Sequence, residues 1–350
     1  MFTKNTSLID IVVPNNSELV PTISICIPTY NRGDKVFGLV KELLKYPNSD
    51  LEVVVLDNCS TDRTEELLAR ILDPRLSFVR NNNNIGGPLN LLKALTLAKG
   101  EFAFICLDKD RLDFQRIGIL IDKLRAHKEV AFGHCTLNVN AEGNDLIYGK
   151  GFEALMNMSY LSSHPTGMFY KTTLLKTNNK LLEIFKENKK FAFYTDILNA
   201  EMAMLGAGLK IDTNAFFTET KDESAKVQSY TYDVKDLYFA PDQRITELRR
   251  YIDSVISLNL SKLEEFKLIR ILYIRGFIAA TIGFKGILSD HEVCAHYNIS
   301  PQNLSFIEVG KNCYRYSSKF VSAKLPLTMF RKVYIAILGF VGLFIKLLKP

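Results

Sequence analysis

Phe102-Ala103-Phe104-Ile105-Cys106-Leu107 runs directly into Asp108-Lys109-Asp110. An apolar run with no polar interruption is the pattern of a strand covered on both faces, as in a parallel sheet flanked by helices. Toward the amino terminus the same pattern recurs. Ile23–Ile27 is a β-branched run stopped by Pro28, and Leu51–Leu56 and Leu76–Val79 are two further short strands. Between them, Lys35–Lys45 sets Val36, Leu39, Val40, Leu43 and Leu44 at helical spacing. Thr61-Asp62-Arg63-Thr64-Glu65 reads as a helix start, a cap followed by acids. Leu89–Ala98 reads as a third helix, with Pro88 in its first turn and Gly100 as its C-cap. Strands alternating with helices predict an α/β fold: a mainly parallel, Rossmann-like sheet with helices on both faces.

In such sheets ligands bind beyond the carboxyl ends of the strands, and the polar clusters fall there. Pro28-Thr29-Tyr30-Asn31-Arg32 follows the first strand and Asp57-Asn58-Cys59-Ser60-Thr61-Asp62 the second. Asn81–Gly87, with Asn84 and Gly86, follows the third, and Asp108-Lys109-Asp110 the fourth. One cluster would be an ordinary turn; four on one edge predict a site. Asp108 and Asp110 together can reach one hard cation, Mg²⁺ or Mn²⁺, and leave positions for diphosphate oxygens. An isolated D-x-D is ordinarily a solvated turn, and its place on this edge is what favours the metal. With neither GxGxxG nor GxxxxGK[ST] in the chain, dinucleotide and P-loop readings fail.

The composition is globular: 350 residues, 47% hydrophobic and 23% charged. The six cysteines form no CxxC pair, so buried reduced thiols are expected rather than zinc ligands. Residues 1–20 hold no secretory apolar stretch, which points to a cytoplasmic location. The net charge of +6 is concentrated late: from Val309 onward there are eight Lys or Arg and no Asp or Glu.

The ordered set Pro28-Thr29-Tyr30-Asn31-Arg32, Asp57-Asn58-x-Ser60-Thr61-Asp62, Asn84-x-Gly86-Gly87 with Asn90, Gly100-Glu101-Phe102 and Leu107-Asp108-Lys109-Asp110 closely resembles family 2 glycosyltransferases. The resemblance is strong over Pro21–Asp113, weaker to Lys221 and absent beyond. It implies a GT-A fold over residues 21–225, with a nucleotide-binding half (21–113) and an acceptor half (114–225). It implies that Thr29–Arg32 and the Asp57-Asn58 pair hold base and ribose, and that the D-x-D carries a divalent metal on a sugar diphosphate. Asn58 departs from the family, where Asp is frequent; its carbonyl can still accept from a pyrimidine N–H, so uridine remains the expectation. Lys109 and the segment His164-Pro165-Thr166-Gly167 would line the donor and acceptor cleft, although a lone His is more often structural. Asp196, ahead of the helical run Ile197–Leu205, would be the catalytic base by the same resemblance; as a bland alternative it is a first-turn acid stabilising its helix.

Beyond Asp222 the pattern becomes helical. Asp242–Leu258 and Ser261–Phe284 read as helices of an accessory region, 226–325. Leu327–Leu348 follows, with an uncharged centre, Val333–Ile345, too short to span a bilayer, which predicts an interfacial helix over 326–350. The expectation is therefore an inverting, metal-dependent glycosyltransferase on the inner face of the cell membrane. Its donor is a nucleotide sugar and its acceptor a glycan or lipid-linked saccharide. Self-association stays open, and nucleic acid is not an expected partner, because aliphatic runs interrupt the basic tail. Two alternatives stand beside it. A nucleotidyltransferase would want a glycine-rich basic loop after the first strand, where only Arg32 is basic. An inactive sugar-binding scaffold would predict a broken D-x-D.

Overall fold

The computed structural model describes residues 20–139, 143–160, 164–178, 183, 194–218, 239–296 and 298–348. Of the amino-terminal extension expected over residues 1–20, residues 1–19 lie outside them, as does the boundary at 225.

The first four strands are β1 (Ile23–Thr29), β2 (Leu51–Asp57), β3 (Leu76–Arg80) and β4 (Phe102–Ile105). β1 pairs in parallel with β2 and β4, and β2 with β3. β5 (Arg111–Leu112), β6 (Val130–Leu137), β7 (Leu146–Tyr148), β8 (Met168–Lys171) and β9 (Ala207–Phe217) complete the sheet among the described residues. The strand order is β3-β2-β1-β4-β8-β6-β9-β5, with β7 against β9. β8 runs antiparallel to both β4 and β6.

Strand β4 shows why the decisive run is uninterrupted. Phe102 and Phe104 face a core with Ile23, Ile25 and Ile27 of β1 and with Val36, Leu39, Val40 and Leu43 of helix α1 (Gly33–Leu43). The Phe104 ring lies 4.7 Å from Phe169 and 6.1 Å from Phe216. Ala103 and Ile105 face the opposite core, against helix α3 (Gly87–Leu97), helix α5 (Phe152–Met158) and the helix Tyr194–Leu205. A polar side chain on either face would be buried. Glu52, a buried acid within β2, is satisfied by the Ser24 hydroxyl and the Lys99 N–H.

Two local expectations change. Gly100 is no C-cap: the helix ends at Leu97, and Ala98 leaves it in an extended conformation. A Cβ at Gly100 would stand 2.8 Å from Ser24 Oγ and 2.9 Å from the Ile23 carbonyl carbon, so glycine lets the chain graze β1 there. The sequence also reads as strand-like over residues 159–171, and among the described residues of that range the strand is Met168–Lys171.

The carboxy-terminal helices are Pro241–Ile256, Lys262–Ile278, Phe284–Ser289, His291–His296, Phe306–Ser322 and Met329–Leu348, with a π-helical turn over Ala279–Gly283. Ser261 and Ser305 start two of them with reciprocal Ser–Glu capping boxes to Glu264 and Glu308. Tyr251, Leu272, Tyr273, Phe277, Tyr316, Phe320 and Ile335 join the same core as Leu56 and Ile105 of the sheet. The continuous stretch Lys262–Ser289 is long and apolar enough by length and composition to cross a membrane, and 44% of that window is buried against protein. Helix Met329–Leu348 packs on it through Ile335, Ala336 and Gly339, where a Cβ would stand 2.8 Å from the Tyr273 ring. Its opposite face exposes Phe330, Val333, Ile337, Val341 and Phe344.

Candidate functional site

The loops after β1 and β2 are tied to each other. Asn31 takes a left-handed backbone (φ 53°), donates its N–H to Ser60 Oγ at 2.8 Å and accepts from Thr61 N at 2.7 Å through Oδ1. Gly33 N donates to Asp62 Oδ2 at 2.9 Å, and Asn58 N to Thr29 O at 2.9 Å. Asp57 turns back into its own loop, accepting from Ser60 N at 3.1 Å and from Arg80 Nη1 at 2.7 Å. It thereby fixes a turn in which Cys59 has φ 66°. Tyr30 is left projecting from the edge, exposed, and Pro28 sits half-buried at the end of β1.

Asn58 belongs to a chain of amides. Its Oδ1 accepts from Ile85 N at 3.0 Å and from Asn81 Nδ2 at 3.2 Å, while its Nδ2 donates to Asn84 Oδ1 at 2.7 Å. Asn84 Oδ1 also accepts from Gly86 N, and Asn81 is held by Lys93 and Asn90. The backbone donor at Ile85 fixes which end of the Asn58 amide is the oxygen. The carbonyl that the sequence leaves available to a pyrimidine thus has both acceptor positions used within the protein. Asn58 holds the 81–87 loop against β2. Gly86 follows with φ 86° and open space above its Cα, at the N-cap of α3.

The two carboxylates of the D-x-D have separate partners. Asp108 Oδ2 accepts from Thr29 Oγ1 at 2.8 Å and Oδ1 from Arg32 Nη1 at 2.9 Å. Burial pushes the Asp108 pKa up, opposed by the Arg32 guanidinium and the Thr29 hydroxyl. Asp110 Oδ2 meets His164 Nε2 at 2.6 Å and accepts from the Thr166 hydroxyl, which itself accepts from Leu107 N at 3.0 Å. Gly167 (φ 84°) donates to Ile105 O and accepts from Cys135 N, which fastens this segment between β4 and β6. Lys109 is half-buried between the two acids.

Among the described residues no three His, Cys, Asp or Glu side chains converge as a metal cage. Mg²⁺ or Mn²⁺ shared with a diphosphate needs no such cage, since one or two carboxylates suffice beside phosphate oxygens and water. Asp108, bonded to Thr29 and Arg32, and Asp110, bonded to His164 and Thr166, are the two carboxylates that could hold such an ion.

Asp196 lies in the first turn of Tyr194–Leu205 and is 1% exposed. Three phenols surround it electrostatically: Tyr160, Tyr170 and Tyr251 each have a pKa raised chiefly by burial and further by the charge of Asp196. Tyr170 on β8 donates to Asn199 of the same helix at 2.8 Å. The stretch from His164 to Tyr170 therefore connects Asp110 at one end to the helix of Asp196 at the other. No sequence motif marked Tyr160 or Tyr251. Tyr160 has φ 51°, its ring is 4.7 Å from that of Tyr251, and Ser159 hydrogen-bonds the Tyr251 hydroxyl. Nearby in charge, Glu247 is 6% exposed, with Oε2 unpartnered and a pKa raised to about 7, chiefly by burial.

Residues 24–186 match the family described as glycosyl transferase family 2. A putative colanic acid biosynthesis glycosyl transferase of Escherichia coli is 30% identical over 122 residues, 34% of this chain and 42% of that protein. A GalNAc(5)-diNAcBac-PP-undecaprenol β-1,3-glucosyltransferase of Campylobacter jejuni is 28% identical over 179 residues, 49% of this chain and 58% of that protein. The chain thus spans about half the length of these curated relatives. In fold, the crystal structure of Staphylococcus aureus TarS 1–349 superposes with a TM-score of 0.57 at 16% identity, covering 91% of this chain and 89% of that one. That likeness in fold, GT-A-like, reaches past the sheet into the helical region, while the segment that belongs to glycosyl transferase family 2 is residues 24–186, which carries the ordered edge motifs.

Proposed function

We propose that this protein transfers a sugar from a nucleoside diphosphate donor, a UDP-sugar, to a hydroxyl of a glycan or lipid-linked saccharide, with inversion, in cell-surface polysaccharide synthesis. The observation that carries the reading is the pair Asp108 and Asp110, held at the carboxyl edge of one sheet in two separate polar cradles. The C. jejuni relative is named for glucosyl transfer on an undecaprenol-linked saccharide. The S. aureus relative, 27% identical over 226 residues, is named as a poly(ribitol-phosphate) β-N-acetylglucosaminyltransferase.

In this reading Thr29, Arg32 and Asp108 face the ribose and diphosphate, with Tyr30 against the base. Asp57, Asn58 and Asn84 act one step back by fixing the loops. Asp110, with His164 beside it, holds Mg²⁺ or Mn²⁺, which would neutralise charge on the departing diphosphate. Asp196 takes the proton from the acceptor hydroxyl as its oxygen attacks the anomeric carbon and the bond to the diphosphate oxygen breaks. One displacement gives inversion, and no covalent sugar–enzyme bond is required. The exposed face of Met329–Leu348 rests on the inner, anionic surface of the cell membrane, close to a lipid-linked acceptor.

The test combines binding and turnover. UDP with Mn²⁺ should raise the melting temperature more than GDP, TDP or CMP does. Asp196→Asn should leave that shift intact and lower turnover by ~10²–10⁴-fold, the usual range for a general base. No response to any nucleotide would refute the donor reading, and a loss below about tenfold would reduce Asp196 to a helix-stabilising acid.

A further inference from the structure

A cavity of about 310 Å³ lies beside Asp110 on the side away from β1. It is lined by His134, Cys135, Thr136 and Leu137 of β6 and by His164 and Thr166, the two residues bonded to Asp110. No motif in the sequence pointed to residues 134–137. The volume is at the lower end of small-molecule sites, roughly 300 Å³ and upward.

Resting on the donor reading above, we infer that this cavity receives the transferred sugar of the donor, that the sugar is uncharged, and that His134 and Leu137 select it. The strand order supplies the first argument. Along the carboxyl edge the order is β3-β2-β1-β4-β8-β6. The nucleotide side, with Thr29, Arg32 and Asp108, belongs to β1 and the end of β4. Asp110 follows, and the cavity lies on β6, two strand spacings beyond β4, about 10 Å. A donor is a linear molecule of nucleoside, diphosphate and sugar, so a diphosphate at Asp110 directs its sugar to the β6 side.

The lining supplies the second argument. β6 and β9 shift register between Cys135 and Leu137, an irregularity of the kind that re-aims side chains beside sites. The Thr136 hydroxyl is committed, accepting from Thr213 N at 2.9 Å with its one proton directed between Asp212 Oδ1 and Thr213 O, each at 2.9 Å, so the wall is fixed. Burial holds the Cys135 thiol protonated, which makes it an apolar surface rather than a nucleophile. His134 is half-buried; burial and the charge of Lys210 lower its pKa to about 4. At neutral pH its ring therefore carries one donor and one acceptor, the pair that a sugar hydroxyl matches. Leu137 and Cys135 give an apolar wall for a ring face. Among the described residues of the lining there is no Lys or Arg to meet a carboxylate, so a uronic acid is disfavoured.

The experiment is calorimetric titration of the full chain in Mn²⁺ with UDP, UDP-glucose, UDP-N-acetylglucosamine and UDP-glucuronic acid. The quantity read is the ratio of the Kd for UDP to that for each sugar nucleotide. The wild type should favour an uncharged donor over UDP-glucuronic acid. His134→Ala should leave the Kd for UDP within about twofold and reduce the ratio for the favoured donor by about three- to tenfold, the scale of one or two hydrogen bonds. Leu137→Phe, which fills the cavity instead of emptying it, should reduce the same ratio. Unchanged ratios in both variants would overturn the inference, as would UDP-glucuronic acid binding as tightly as the best neutral donor. Failure of the wild type to bind UDP or any UDP-sugar would instead defeat the donor reading itself.

Discussion

Glu247 should make this protein less stable as pH rises from about 4.5 to about 7, and Glu247→Gln should remove that dependence. The carboxyl is 6% exposed on helix Pro241–Ile256; Arg250 approaches no closer than 3.6 Å and Oε2 has no hydrogen-bond partner. Burial raises its pKa from 4.5 to about 7, against the opposing pull of Arg250 and Arg244. The folded state therefore holds the proton more tightly than the unfolded chain does. Below the unfolded value both states are protonated and the group costs nothing. Between pH 4.5 and 7 folding must take up a proton, and above 7 it must bury the charge. At about 1.4 kcal/mol per pKa unit the full shift would cost about 3 kcal/mol, and access of water to part of the carboxyl reduces this to roughly 2 kcal/mol. Glutamine keeps the shape and carries no charge. Urea unfolding followed by circular dichroism should find Glu247→Gln equal to wild type near pH 4.5 and more stable by roughly 2 kcal/mol at pH 8, with the difference growing between. A difference that does not vary with pH, or a variant less stable at pH 8, would refute the reasoning and show the carboxylate to be paired and favourable.

Two further outcomes follow from the site and from the last helix. Asp110→Ala should weaken Mn²⁺-dependent UDP binding and stop turnover while circular dichroism stays unchanged; full activity in excess chelator would exclude a metal at Asp110. The triple variant Phe330→Ser, Ile337→Ser, Phe344→Ser should lose flotation with phosphatidylglycerol vesicles and keep its melting temperature, because all three side chains are exposed. Equal flotation of variant and wild type would end the membrane reading. Truncation at Pro326 is the poorer test, since it would uncover Tyr273 and Phe277.

The first half of the fold was legible because each strand and helix there declares itself locally. A run such as Phe102–Leu107 admits few other readings, and the helix patterns between strands fix parallel pairing. Residues whose role depends on distant partners were not legible. Gly100 looked like a cap because it follows a helix, yet what constrains it is the backbone of β1. Asn58 looked available to a base because its neighbours in sequence leave it so, while Ile85 and Asn81 occupy its carbonyl across the loop. The Lys and Arg residues after Val309 look alike in sequence, but Lys332 is buried and donates to Ala323 O at 3.0 Å, so it does not face a lipid surface. Glu247 carried no signal at all: an acid in an amphipathic helix reads as solvated until the covering surface is known.

The D-x-D itself shows where spacing stops being informative. Two acids separated by one residue on a turn can both reach one cation, and the sequence reading placed them so. The turn is there: Asp110 N donates to Leu107 O at 2.9 Å, an i to i+3 closure directly after the strand. The turn sends Asp108 toward Thr29 and Arg32 on the β1 side and Asp110 toward His164 and Thr166 on the β8 side. The same two residues can then do different work, one beside the nucleotide and one at the junction of diphosphate and sugar. His164 lies 54 residues from Asp110 in the chain, so only the antiparallel return of β8 beside β4 could bring them together. A turn of four residues and one strand pairing thus send the two carboxylates of one short motif to different polar neighbours.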